Sequence, residues 1–285
     1  MERTQRTNRP TNGNRNRNRN RRRNRKNMKL APVIVVIVSI LLVLLIAVGT
    51  KIIQKYIPSK EHQDMTEYYH LQADDDISLV VNHEVLETPG KYIDGEVYVD
   101  YETVHDRFND RFYWDANENV LLYTLPDNLV TVAAGSNTYQ VGKENQSADY
   151  TIVRNDSNTM YLALDFVEQY TNITHEVYEG PNRTVINTVW GDVDTAPAKK
   201  ATQLRLKGGI KSPIVKDLEK GETLTILDAG DSWTKAMTED GVIGYLKNKF
   251  VGKVTTETLD NDFTEPEFTH ISKDFTIEMA WHQVT

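Results

Sequence analysis

"VYVDYETVHDRFNDRFYWDANENVLLY" (97–123) is followed by a second version of itself, "MYLALDFVEQYTNITHEVYEGPNRTVIN" (160–187). The offset is constant but for a single inserted position, so that Tyr98 falls on Tyr161, Val99 on Leu162, Val104 on Val167, Trp114 on Tyr178 and Leu121 on Val185. A repeat of this length means one supersecondary unit used twice. Each copy reads as strand, short helix, strand, turn, strand. In the first, Asp94-Gly95 between Tyr92-Ile93 and Val97 is a hairpin signal, and Tyr101, Val104 and Phe108 share one helical face. In the second, Leu164 and Val167 keep that face and Gly180-Pro181-Asn182 supplies the turn. Neither half can bury a core alone, so the two are expected to pack as one α+β domain over 73–189.

Around this repeat the charge is uneven. The formal balance is −8, yet residues 1–29 hold twelve Lys/Arg and one acid, a net of +11, which leaves 21 basic against 40 acidic residues in the rest. Between tail and body lies "LAPVIVVIVSILLVLLIAV", Leu30 to Val48, an unbroken run without a charge. At about 1.5 Å per residue this run crosses a hydrocarbon core of about 30 Å. Residues 30–50 are therefore expected to form a transmembrane helix with Pro32 in its first turn. The basic tail (1–29), with almost nothing to bury, is expected to be disordered. The excess of cations before the span places the N-terminus in the cytoplasm and the bulk outside. A cleaved signal peptide is the competing reading, but its apolar core would be about 7–15 residues long. The tail lacks aromatic residues for base stacking, so anionic lipid explains it better than nucleic acid.

Cysteine is absent, which excludes disulfides, thiolate catalysis and Cys-based metal sites. The exterior of a Gram-positive cell fits this composition. The seven histidines form no H-x-H or H-x₃-H set. No metal or other cofactor is expected, and Asp74-Asp75-Asp76 reads as a solvated edge.

"VVNHEVLETPGKYIDGEVYV", a helix and "FYWDANENVLLY" together resemble the domain named for the N-terminal region of copper amine oxidases, across most of 77–188. The family's proline after the "VYV" strand is replaced by Asp100 and Ala163. The resemblance implies a stalk-like module, and neither copper nor oxidase chemistry.

Residues 51–72 read as a polar stalk linker and 190–200 as a second linker. Over 201–255, turn signals recur at Gly208-Gly209, Lys220-Gly221, Ala229-Gly230-Asp231 and Asp240-Gly241, with alternating strands between them, as in a small all-β barrel. "LRLKGG", "VKDLEKGETLTIL", "DSWTKA" and "DGVIGYL" resemble, in order, a bacterial SH3 domain. That resemblance implies binding of peptidoglycan or another cell-wall polymer. Trp233 and Tyr245 are the candidate wall-ligand contacts. Packing of the barrel competes for both, more strongly for Trp233.

A third linker (256–267) leads to "FTHISKDFTIEMAWHQVT" (268–285), an apolar strand of the kind buried in parallel sheets. It resembles the first barrel strand of family-18 glycoside hydrolases. The acidic D-x-x-D-x-D-x-E signature of that family is not present, and a (β/α)₈ barrel needs about 250 residues, so no activity is expected of this chain. The expected whole is a multidomain protein: transmembrane helix, repeated α+β domain, SH3-like barrel and the start of a truncated (β/α)₈ barrel. It reads as the membrane-anchoring and wall-targeting region of a glycoside hydrolase. The alternative is a complete, non-enzymatic wall-binding scaffold or sensor.

Overall fold

The computed structural model describes residues 17–156 and 158–266. The chain divides into two compact units, Met1–Pro58 and Ser59–Thr285.

The first unit holds one helix, α1 (Arg17–Tyr56), 40 residues long. It starts well before the apolar run, so residues 17–29 of the basic tail belong to it. That segment lacks Gly and Pro, and its Arg and Lys residues are good helix formers. Pro32 consequently lies inside the helix, where its missing N–H removes one ladder bond. The span from Pro32 to Tyr56 is long and apolar enough to cross a membrane. Its aliphatic side chains are exposed around the whole circumference, as hydrocarbon solvent requires and a protein core does not.

The second unit opens with α2 (Met65–Tyr68), capped by Asp64, whose side chain accepts from the Thr66 and Glu67 N–H groups. Then come β1 (Asp76–Val81), β2 (Glu84–Val85), β3 (Gly90–Ile93) and β4 (Glu96–Asp100). Asp94 and Gly95, both at positive φ, make the expected hairpin turn between β3 and β4, as a two-residue loop of this type requires. A short helix α3 (Tyr101–Thr103) runs into a π-helical turn (Val104–Phe108). A five-stranded antiparallel sheet follows: β5 (Phe112–Asp115), β6 (Val120–Thr124), β7 (Leu129–Ala133), β8 (Thr138–Val141) and β9 (Glu144–Ser147). The second copy of the repeat supplies β11 (Thr159–Ala163), preceded by β10 (Val153–Asp156), then α4 (Leu164–Glu168), β12 (Thr174–Tyr178) and β13 (Arg183–Asn187).

The two copies meet where the sequence alignment equates them. Strands β4 and β11 pair antiparallel with Val99 opposite Leu162, two positions that the repeat superimposes. Their closing hairpins diverge: β5–β6 begins the five-stranded sheet, whereas β12–β13 joins the larger sheet ordered β10-β11-β4-β3-β1-β13-β12.

In that sheet β1 and β13 run parallel, with Val80 opposite Val185 and Val81 opposite Ile186. Every residue of β1 is buried. Alternation sends Ile77, Leu79 and Val81 into one core with Val99, Leu162 and Phe166. Val80 and Val185 point the other way, into a second core with Leu204, Leu224, Ala236 and Leu246. The β1–β13 pair is thus a layer covered on both faces.

The second core belongs to a seven-stranded sheet: β14 (Gly191–Pro197), β15 (Thr202–Arg205), β16 (Ile214–Leu218), β17 (Thr223–Ala229), β18 (Trp233–Thr238), β19 (Ile243–Lys247) and β20 (Thr255–Leu259). A 3₁₀ turn (Asn248–Phe250) follows β19. The described pairings follow the path β16-β15-β19-β18-β17-β14-β20, with none joining its two ends. The expected closed barrel is therefore an open sheet among the described residues. Its extra strands come from two expected linkers. Residues 190–200 supply β14, which pairs with β17 and β20, and 256–267 supply most of β20. Val193 and Thr195 in β14 and Thr255, Thr256 and Thr258 in β20 are β-branched residues that suit an added strand.

The expected stalk (51–72) is also corrected. Residues 59–72 form a strap packed on this sheet: His62 bridges parallel to Ile214, and the Ile214 N–H donates to the Glu61 carbonyl. Tyr69 is fully buried. The strand expected at 268–285 lies outside the described residues.

Candidate functional site

Trp233 and Tyr245 sit on adjacent strands, β18 and β19. Cross-strand partners share a face; Trp233 is opposite Lys247 and Lys235 opposite Tyr245, so all four lie on one side. Ala236 and Leu246 face the other side and are fully buried. Trp233 is therefore half-exposed on the outer face of the sheet, not a core residue. It covers the turn at Gly208, where an added Cβ would lie 3.3 Å from its side chain, and the Lys247 ammonium stands 5.6 Å from its ring. Tyr245 is half-buried beside Arg205. The buried Arg205 guanidinium is occupied by the Ser59 and Ser212 carbonyls and the Gln203 side chain.

The strap and one arginine hold this sheet in place. The Tyr68 hydroxyl donates to the Ile243 carbonyl and accepts from the Ile243 N–H (2.8 and 2.9 Å), closing β19 where β15 no longer pairs with it. Burial pushes Tyr68 up to about 12. Arg183, on β13, is 6% exposed. It donates to the carbonyl and the carboxylate of Asp240, and to the Glu179 and Pro181 carbonyls. Its guanidinium lies over the rings of Tyr69 and Tyr178, 5.4 and 5.5 Å from their centroids. Asp240 also accepts from Lys216 at 2.7 Å and from Thr238. Burial raises the Asp240 carboxyl, but these donors and the two nearby cations outweigh it and hold it below the ordinary carboxylate range, as bonds to the charged form do.

With the paired repeats, their shared core and the covered β1–β13 layer in view, the family comparison has a structural counterpart. Residues 80–187 match the copper amine oxidase N-terminal domain. No curated protein and no solved structure gives a significant match to the chain. A copper amine oxidase N-terminal-like domain is thus present, and its matched limits run from within β1 to the end of β13.

That domain brings together a group that no sequence motif marks. Asp165, Glu168 and His175 each place one ligand-type atom within 4.8 Å of the others. Asp165 and Glu168 sit three apart on α4, and His175 comes from β12, so no histidine-spacing rule would find them. A helical i, i+3 carboxylate pair facing a neighbouring strand was the available signal. The imidazole is already engaged: Nδ1 lies 2.6 Å from Glu168 and Nε2 3.4 Å from Asp165. One imidazole between two carboxylates is a poor donor set for copper, which favours several imidazole or sulfur ligands. The cluster instead clamps α4 to β12.

Beside it Glu96, at the start of β4, is pushed up to about 7 by burial and by the charge of Asp165, against a hydrogen bond from the Asp165 N–H. Its Oε1 is enclosed and has no partner. The acidic run at 74–76 is not a solvated edge throughout. Asp76 is buried and accepts from the Gln72 and Ala73 N–H groups and from Lys91. Burial raises its carboxyl, and those bonds bring it below the ordinary range. Among the described residues there is no closed catalytic barrel.

Proposed function

We propose that this chain is the membrane-anchoring and envelope-targeting region of an extracellular protein. The apolar helix holds it in the bilayer, with the basic tail in the cytoplasm. The amine-oxidase-N-like domain acts as a spacer, and the sheet over 201–255, which resembles a bacterial SH3 domain, engages a cell-wall polymer through the face bearing Trp233 and Tyr245. The observation that carries this reading is the fixed joint at Arg183 and the strap. A module welded to its spacer presents one face in one direction, which is what a positioning device needs.

On this reading the partner in action is a glycoside hydrolase of the family-18 type, whose first strand residues 268–285 resemble. Tethering raises the effective concentration of such a barrel at its polymer without any new contact. Two experiments test the proposal. Fractionation of source cells should place the protein in membranes, and purified peptidoglycan should retain the full-length chain more than its Trp233→Ala/Tyr245→Ala variant. Equal retention of both forms would remove the binding role. The mass of the native protein separates hydrolase region from free-standing scaffold: about 250 further residues support the former, and 32.7 kDa the latter.

A further inference from the structure

The body outside the membrane helix is acidic, but not uniformly. Residues 51–190 carry 9 Lys/Arg against 24 Asp/Glu, whereas 199–255 carry 11 against 7. The seven-stranded sheet is a cationic module on an acidic body.

Six of its ten lysines fall into two sets. Lys216 is ion-paired at the joint, 3.1 Å from Glu222 and 2.7 Å from Asp240. A second group gathers at the far end of β18 and β19. Lys247 stands over Trp233, and Lys200 and Lys249 over Phe250 at 4.5 and 5.0 Å. The exposed Lys199 donates its backbone N–H to the Phe250 carbonyl, and the exposed Lys207 precedes the glycine that Trp233 covers. Asn248 makes these residues one edge. Its side chain donates to Gly230 and accepts from Thr234, and its N–H donates to Ser232, tying the 3₁₀ turn to the turn before Trp233. Among the described residues none of these five lysines forms an ion pair with a carboxylate, and the acids near the edge, Asp228 and Asp231, form none either.

We propose that the lysine-ringed edge around Trp233 and Phe250 binds a phosphodiester polyanion. The rings hold three ammonium heads at the surface, where they stay available to an outside anion. Ammonium is a compact, hydrated point charge that binds phosphate oxygens without a fixed fork geometry, which suits the varying orientations of phosphates along a flexible chain. Five charges spread along an edge fit a chain of repeating charges and not a single small anion. The exposed parts of the Trp233 ring and of Phe250, which also packs against the second core, offer apolar contact to the carbon backbone between phosphates. This gives a ligand class to the targeting role above. It rests on that role for where the polymer is met, not for the binding chemistry.

The test uses the full chain in detergent, titrated with poly(glycerol phosphate) at about 0.15 M salt. A variant carrying Lys200→Gln, Lys247→Gln and Lys249→Gln is compared with a control of equal charge loss, Lys60→Gln, Lys143→Gln and Lys220→Gln. Both keep the basic tail, so its own attraction for polyanions is common to the pair. All six side chains are on the surface, and an unchanged thermal transition verifies folding. The edge variant should bind about tenfold more weakly or worse, and the control within about twofold of wild type. Equal losses in the two variants would overturn the proposal, as would tighter binding of polyglutamate, or a loss seen with anionic lipid vesicles but not with the polymer. Cell-wall sacculi separate the two readings. Retention on sacculi stripped of anionic polymer, unaffected in the edge variant, overturns this proposal and leaves targeting intact. Polymer binding without retention on native sacculi does the reverse.

Discussion

The Arg183 guanidinium has five N–H donors, and four of its hydrogen bonds end on three backbone carbonyls and one carboxylate, from the β12–β13 turn of one sheet and the β18–β19 turn of another. Arg183→Met keeps the stem and its packing but leaves Asp240 with only Lys216 and Thr238 as donors. Removing one member of a buried pair costs about 3 kcal/mol or more, discounted here because Asp240 keeps two donors; a loss of about 2 kcal/mol in urea unfolding is expected. Tyr68→Phe leaves the Ile243 N–H and carbonyl without their partner and should cost about 1–2 kcal/mol in the same assay. Glu96 gives a pH signature. Its folded-state carboxyl lies above the ordinary range, so its contribution to stability is full below the unfolded value and is lost as pH rises through about 7, by proton linkage. Glu96→Gln should therefore gain on wild type at pH 8 and gain little at pH 4. A wild-type-like slope in the variant between those pH values would show that another group titrates.

At the scale of elements, the legible parts were those written in local chemistry. The Asp94-Gly95 turn, the Val99/Leu162 equivalence and the α4 face of Leu164 and Val167 all follow from turn preference and period. The linkers at 190–200 and 256–267 did not, because Asp192, Asp194, Glu257 and their threonines read as solvated loop. Their strand character comes from pairing with each other at the sheet edge, with a partner so distant along the chain that no local rule contains it. The strap fails for the same reason: "EHQDMTEYYH" is polar by composition, yet Tyr68 and Tyr69 carry its contacts. At the candidate site, the types of Trp233 and Tyr245 were legible, but their common face depended on the β18–β19 register. The Asp165–Glu168–His175 cluster depended on a contact between helix and strand. The turn between β18 and β19 is equally demanding: Gly241 has a positive φ, and a Cβ there would come within 2.7 Å of Val185. Gly241→Ala should cost about 2 kcal/mol by strain and clash together, lowering the melting temperature without altering the secondary-structure content of the folded protein.

For the whole molecule, the β1–β13 layer decides how the second unit comes apart. With Val81 and Ile186 in one core and Val80 and Val185 in the other, neither core can open without exposing the back of the layer that closes its neighbour. Calorimetry of the chain in detergent should therefore show residues 59–266 melting in one transition, with calorimetric and van't Hoff enthalpies equal. Two resolved peaks, one of them removed by Arg183→Met, would mean that the cores are separable.

The strap also decides where the chain can be severed without harm. Helix α1 ends at Tyr56 and the packed body begins at Ser59, which leaves only a few residues between a membrane segment and a sealed fold. A protease cutting between Tyr56 and Ser59 would shed the entire body with its strap still seated, and that fragment would keep the face bearing Trp233 and Tyr245. A cut after Tyr69, within 70–72, would leave Tyr68 and Tyr69 on the membrane side of the break, uncover β19 and the Arg183 joint, and release a weakened product. Shedding that leaves the fold whole is thus confined to one narrow window at the membrane end.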